Sequence, residues 1–143
     1  MRIDRATTSD VPAVEALLAA AGLPLEGAAE ALSAAVVARV GDRVVGAAAV
    51  EPYGSAGLLR SVVVAEPLRG TGLGRELVAA AEALARERGI RDLYLITETA
   101  ASWFPRHGYI VVDREVARAA VGDSIEFTMA CATTGVPMRH SLG

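Results

Sequence analysis

A glycine-rich segment in the middle of the chain combines the residue types that bind a phosphate group. It reads Arg69-Gly70-Thr71-Gly72-Leu73-Gly74-Arg75 and lies between an apolar run and an amphipathic run. Glycines let the backbone approach an anion closely, and the N–H groups in the first turn of a following helix point at that anion. Arg69 and Arg75 flank the turn and add charge-assisted hydrogen bonds. The segment therefore predicts a phosphate-binding loop at the start of a helix.

The spacing of these glycines separates the loop from two common nucleotide-binding motifs. Gly70, Gly72 and Gly74 lack the wider spacing of a dinucleotide fingerprint, and they lie in the middle of the chain rather than at its front. The sequence contains no lysine, which a nucleotide P-loop requires. The remaining alternative is a turn that only packs a helix against a strand.

A charged residue inside an apolar run is a second candidate for chemistry. Arg60 interrupts residues 58–64, which are otherwise typical of a strand in the middle of a sheet. An unpaired buried charge is strongly unfavourable, so the guanidinium needs water or an anion. A substrate carboxylate or oxyanion would serve. An internal pair with Glu51 and an exposed position at the start of the strand are the alternatives.

Hydrophobic periodicity and turn residues predict the elements that position these groups. Strands are predicted over residues 3–6, 35–40, 43–50, 58–64, 93–97, 109–113 and 136–142. Helices are predicted over residues 11–21, 25–33, 73–88 and 100–107. Residues 51–57 are predicted to form a loop, and residues 114–132 show no clean period. The middle of the chain therefore alternates strand and helix.

Composition narrows the class of protein. The chain has 143 residues, 52% of them hydrophobic and 22% charged, which predicts one packed domain over residues 1–143. A net charge of -3 argues against a nucleic-acid partner. The single cysteine, Cys131, excludes an internal disulfide, and two histidines are too few for a metal site. No targeting segment or membrane-spanning run is visible, so we expect a soluble cytoplasmic protein without a membrane partner.

Two motifs together resemble the GCN5-related N-acetyltransferase (GNAT) superfamily. The first is Arg-x-x-Gly-x-Gly, here Arg69, Gly72 and Gly74. The second runs from Thr97 through Ala100 to Trp103-Phe104 and then Gly108-Tyr109. The resemblance implies an α/β (α+β) fold with a central mixed, mostly antiparallel sheet of six to seven strands and about four flanking helices. It also implies a splay between the fourth and fifth strands.

The resemblance further implies that acetyl-CoA is the cosubstrate and that no metal takes part. The implied coenzyme contacts are Val62, Val63, Val64, Arg69, Gly70, Thr71, Gly72, Leu73, Gly74, Arg75, Thr97 and Phe104. In this interpretation the loop holds the diphosphate, and the backbone of residues 62–64 pairs with the pantetheine amides like an added strand. The thioester then lies between the splayed strands.

Direct attack on a thioester needs a neutral amine, so a carboxylate or an ordered water must accept a proton. Glu51 and Glu98 are the candidate catalytic carboxylates, and Tyr53, Arg60, Ser61 and Thr99 are the candidate substrate contacts. Many superfamily members carry at the Phe104 position a tyrosine that protonates the departing thiolate, and phenylalanine has no proton to give. Tyr109, Ser102, Thr97 and water remain alternatives for that role.

The whole chain also resembles the arsenic-resistance N-acetyltransferase family. The matching segments are Glu51-Pro52-Tyr53-Gly54, Leu58-Leu59-Arg60-Ser61, residues 93–97 with Thr99, and the tail from Glu126-Phe127 through Cys131 to Met138-Arg139. The resemblance implies acetylation of a small, amino-acid-like amine. The tail lacks the second cysteine of that family, which rules out a paired-thiol arsenic site within one chain.

Two other functions stay open at this point. One is acetylation of a protein or peptide amine, which needs an open groove rather than a roofed site. The other is a noncatalytic acyl-CoA-binding module, which is favoured by Phe104 in place of the expected tyrosine. A homodimer is left open as well.

Overall fold

The computed structural model describes residues 1–122, 124 and 135–143, and its framework is one mixed sheet. The strands are β1 (Arg2–Arg5), β2 (Ala35–Val40), β3 (Arg43–Tyr53), β4 (Ala56–Val64), β5 (Asp92–Thr97), β6 (Ile110–Val111) and β7 (Val136–Ser141). The helices are α1 (Val11–Ala20), α2 (Ala28–Ala31), α3 (Leu73–Glu87) and α4 (Arg114–Val121). The strand order is β1-β2-β3-β4-β5-β7-β6. Seven strands and four helices confirm the predicted fold class.

The sheet is mostly antiparallel, and short connections join β2 to β3 and β3 to β4. Only Gly54 and Ser55 separate β3 from β4, and a connection of two residues requires antiparallel neighbours. The pair β4 and β5 is parallel, and α3 provides the long crossover that a parallel pair needs. The ladder between β4 and β5 ends at Leu58 and Tyr94, while β4 continues to Val64 and β5 to Thr97. The end of the ladder agrees with the expected splay.

Four predicted elements differ from those in the structure. The helix predicted over residues 25–33 is limited to α2, which a 3-10 turn follows at Leu32–Ala34. The predicted loop over residues 51–57 is wrong, because β3 extends to Tyr53 and β4 begins at Ala56. The predicted helix over residues 100–107 is only a 3-10 turn, Phe104–His107, since Pro105 lacks the N–H that a longer helix would use. The strand predicted over residues 109–113 is limited to β6. Part of the aperiodic stretch forms α4.

The residues group into two compact units, and the first comprises Met1–Val50 with Ser61–Leu84. Its core contains Val14 and Leu18 of α1 with Val37 and Ala47 of the sheet. A Cβ atom built on Gly46 in β3 would lie 2.7 Å from Leu77 Cδ1 of α3 and 3.1 Å from the Val63 carbonyl oxygen. Glycine at this position therefore lets α3 pack closely against β3.

The second unit comprises Glu51–Arg60 with Ala85–Gly143. Within it β5 pairs with β7, and β7 pairs with β6, both antiparallel. Its core brings Leu58 and Tyr94 of the parallel pair against Ala117 and Val121 of α4. None of the helices in the described part of the chain is both long and apolar enough to cross a bilayer.

Candidate functional site

The glycine loop has the backbone geometry that anion binding requires. Gly70 and Gly72 have φ angles of +81° and +91°, a left-handed region that disfavours other residues. A Cβ atom built on either glycine meets nothing within 4 Å. Both residues are exposed, so the space next to them is open to a ligand.

The same loop offers several unpaired donors. The amide of Glu76 bonds to the Gly72 carbonyl at 3.2 Å and is the first to join the hydrogen-bonding of α3. Among the described residues, the amides from Gly70 to Arg75 donate to no backbone carbonyl. Thr71 Oγ1 donates to the Leu68 carbonyl at 2.6 Å, which stabilises the turn. The head of α3 therefore presents a row of N–H groups with positive electrostatic potential.

The two loop arginines occupy different positions. Arg69 Nε donates to the Val64 carbonyl oxygen at 3.1 Å, so this side chain folds back onto the end of β4. Arg75 lies exposed in the first turn of α3. In residues 62–64 only Val63 is buried, with a half-buried valine on either side.

Ser61 carries a strained backbone in the middle of β4. Its φ of +55° makes it the only non-glycine residue with a positive φ in the part of the chain that the structure describes. A left-handed residue inside a strand is typical of a β-bulge, which interrupts the alternation of side chains. The burial pattern agrees with an interruption here, because Arg60 and Val63 are buried whereas Ser61 and Val62 are half-buried. Strain of this kind concentrates at functional sites.

The predicted acceptor residues Glu51, Tyr53 and Arg60 form one hydrogen-bonded cluster. Arg60 Nη1 donates to Glu51 Oε2 at 2.7 Å, and the Tyr53 hydroxyl donates to Glu51 Oε1 at 2.6 Å. The hydroxyl of Ser124 donates to the same carboxylate. Of the alternatives for Arg60, the structure contains the internal pair with Glu51. Sequence reasoning missed Ser124, which belongs to no motif and lies within the stretch that shows no clean period.

The cluster holds Glu51 in its ionised form. Burial alone would raise the pKa of this carboxyl. The hydrogen bonds from Ser124, Tyr53 and Arg60, together with the Arg60 charge, outweigh burial and lower the pKa below its ordinary value. Glu51 is therefore an anion at neutral pH and a weak base in its own right.

The other predicted site residues lie at or beyond the end of β5. Glu98 and Thr99 are exposed, and Glu98 is not among the partners of Glu51. Thr97 Oγ1 accepts a hydrogen bond from the Ala100 amide at 2.9 Å. Phe104 is buried, and its ring centroid lies 5.4 Å from that of Tyr109. Its contacts are thus those of a core residue.

The alternatives for the proton donor differ in exposure. Tyr109 is 1% exposed and also packs against His140, with ring centroids 5.0 Å apart. Ser102 is exposed in the turn before Phe104. Cys131 and the tail segment Glu126-Phe127 lie outside the described residues. Within those residues, no three His, Cys, Asp or Glu side chains form a group that could hold a metal ion.

The mixed sheet, its helices and the sequence together define the class of protein. Residues 31–111 match the sequence model of the acetyltransferase (GNAT) domain. This match covers more than half of the chain, and the chain belongs to the GNAT acetyltransferase family.

Individual relatives are similar over different lengths. The chain is 48% identical over 52 residues to N-alpha-acetyltransferase 80 of Mus musculus, which is 36% of this chain. That alignment spans only 17% of the mouse protein.

Solved structures resemble the whole chain. Rv2747 of Mycobacterium tuberculosis, in complex with CoA, has a TM-score of 0.78 at 22% identity and covers 99% of both chains. N-acetylglutamate synthase of Neisseria gonorrhoeae, complexed with coenzyme A and N-acetyl-glutamate, has a TM-score of 0.83 at 18% identity. The overlap covers 99% of this chain and 35% of the synthase. At these identities the likeness shows the fold.

Proposed function

We propose that this protein is an acetyl-CoA-dependent N-acetyltransferase that acts on a small primary amine. The observation that carries the proposal is the loop at the head of α3, where Gly70 and Gly72 have positive φ and open space beside them. Family membership and the coenzyme A bound to the two structural relatives support it.

The loop fits a diphosphate on steric and electrostatic grounds. A side chain in place of Gly70 or Gly72 would project into the open space beside the loop. The backbone amides up to Arg75, which donate to no backbone carbonyl, supply the hydrogen-bond donors. Backbone pairing of residues 62–64 with the pantetheine arm remains a proposal, as do contacts from Thr97 and Phe104. Arg69, held by the Val64 carbonyl, links the loop to the end of β4.

The proposed reaction is direct transfer. The amine nitrogen of the acceptor attacks the carbonyl carbon of the thioester, a C–N bond forms, and the C–S bond breaks with its electron pair on sulfur. The amine loses one proton and the thiolate gains one. Glu51 and Glu98 remain the proposed carboxylates on the acceptor side. Because Glu51 has a lowered pKa, its proposed part is to attract the ammonium form and pass the proton to water.

The finer proposal is an amino-acid-like acceptor that contacts Tyr53, Ser61 and Thr99, with Arg60 acting through its ion pair with Glu51. The N-acetyl-glutamate bound to the Neisseria synthase supports an acceptor of this kind. A role in arsenic resistance rests on the sequence segments alone and is proposed on that basis. The same holds for a cytoplasmic location, which rests on cysteine usage.

A peptide or protein N-terminus is the second candidate acceptor. The similarity to the mouse N-alpha-acetyltransferase favours it. The noncatalytic module keeps its support from Phe104, a buried residue without an ionisable group.

Thiol release from acetyl-CoA tests the proposed function. The panel consists of amino acids, amino-acid amides, simple amines, short peptides and amine-bearing arsenicals. We expect turnover with at least one small amine. Turnover with peptides only would favour a peptide or protein N-terminus as the acceptor. Coenzyme binding without turnover of any acceptor would favour the noncatalytic module.

A further inference from the structure

The Glu51–Arg60 pair exposes only one of its two charges. The side chain of Arg60 is 0% exposed, whereas that of Glu51 is 15% exposed, and their charged atoms are 2.7 Å apart. Part of the Glu51 side chain is therefore open to solvent, whereas the Arg60 side chain is enclosed. An approaching ligand meets the negative end of the pair first.

The cluster also fixes the direction of that carboxylate. Tyr53 donates to Oε1 and Arg60 to Oε2, and Ser124, which is 1% exposed, adds a third donor. Tyr53 itself is half-buried, and its hydroxyl contacts the same carboxylate. A fixed carboxylate with an aromatic neighbour suits an ammonium group.

The buried guanidinium is poorly suited to hold a carboxylate of the acceptor. Such a ligand would have to displace Glu51 from Arg60 and would leave a carboxylate on the protein without its main partner. Breaking a buried pair in this way is strongly unfavourable. An amine without an ionised carboxylate next to it meets no such obstacle.

We propose that Glu51 and Tyr53 form a cation-selective subsite for the acceptor, with Arg60 as the buried counterion of Glu51 rather than an anion receptor. The preferred acceptors are then amines whose neighbouring carboxyl group is absent or neutral, as in amino-acid amides, peptides and simple amines. This inference rests on the proposed function and narrows its substrate class.

Matched acceptors test the subsite. Leucine, leucine amide and 3-methylbutylamine share a side chain and differ in the carboxylate. We measure kcat/KM by thiol release and correct each value for the fraction of unprotonated amine. The amide and the amine should exceed leucine by about tenfold or more, which a single charge interaction near the surface can supply.

A charge-neutral double variant links the preference to the cluster. Glu51→Gln with Arg60→Met removes both charges and avoids a lone buried ion. The preference should then fall to about twofold or less, since the local Coulomb contribution is gone. Asp10→Asn with Arg39→Met is the matched control, because that pair is also buried or nearly so, with side chains 6% and 16% exposed. The control should keep the preference, and thermal unfolding verifies that both variants fold.

The possible outcomes distinguish failure of the cation-selective subsite from failure of the proposed function. Thiol release with leucine preferred over its amide would overturn the cation-selective subsite and leave the proposed function standing. A preference that survives in the Glu51–Arg60 double variant would do the same. No thiol release with any acceptor would overturn the subsite together with the proposed function.

Discussion

At the residue scale, the backbone conformation of Ser61 and the ionisation of Glu51 differ from what their neighbours in the sequence predict. Ser61 lies in a strand yet has a left-handed backbone, and Glu51 is half-buried yet ionised. The run of valines after Ser61 gives no signal of a left-handed residue. The ionised state of Glu51 depends instead on contacts with Tyr53 and Arg60 on the two adjoining strands and with Ser124, far along the chain.

A substitution at Ser61 tests the strained backbone. Valine favours regular strands, but at a φ of +55° its branched side chain clashes with the backbone, so Ser61→Val should destabilise the protein by about 1–2 kcal/mol. Ser61→Gly should cost less, because glycine adopts this φ without strain. Ser141→Val, in the exposed end of β7, is the matched control and should be nearly neutral. Chemical denaturation gives the free energies, and a stable Ser61→Val variant would argue against the bulge.

The Glu51 cluster also predicts how stability depends on pH. A carboxyl whose folded-state pKa is lowered contributes stability that is fully present above its unfolded pKa and is lost as pH falls through the folded value. For Glu51 this loss begins near its ordinary pKa of 4.5 and proceeds below it. The free energy of unfolding of the Glu51→Gln, Arg60→Met variant should therefore decline less steeply below that pH than that of the wild type. If the free energies of unfolding of the variant and the wild type declined equally steeply with falling pH, the hydrogen bonds assigned to Glu51 would be contradicted.

At the element scale, the sequence predicts the central elements better than their ends. Residues 58–64 and 73–88 were predicted as strand and helix, and β4 and α3 confirm both. Both segments have long apolar patterns, which predict secondary structure more reliably than single residues do. Pro52 and Gly54 predicted a loop where β3 continues to Tyr53. The short α4 buries only Ala117 and Val121, a pattern too brief to indicate a helix.

Gly46 tests the packing between β3 and α3. A Cβ atom there would lie 2.7 Å from Leu77 Cδ1, so Gly46→Val should overpack the unit and destabilise it by about 2–3 kcal/mol. The milder Gly46→Ala should become less harmful when Leu77→Ala removes the facing methyl groups. Equilibrium unfolding of the single and double variants measures this coupling. Strict additivity would show that the two residues do not touch.

At the scale of the whole molecule, the fold is predictable from the sequence, whereas the contacts within the proposed acceptor cluster are not. The Arg69-x-x-Gly72-x-Gly74 motif acts through local backbone geometry, which neighbouring residues largely determine. The state of Arg60 depends on burial and on Glu51, nine positions earlier in the chain. Ser124 completes that cluster from a stretch with no motif at all.

The proposed function depends on binding of the acetyl-CoA diphosphate by the loop at the head of α3. Calorimetric titration of coenzyme A into the wild type and into Gly72→Val tests this binding. The valine side chain would enter the open space beside Gly72, where φ is +91°, so we expect one site in the wild type and at least about tenfold weaker binding in the variant. Equal affinity in a variant that is folded by circular dichroism, or no binding to the wild type, would contradict the claim.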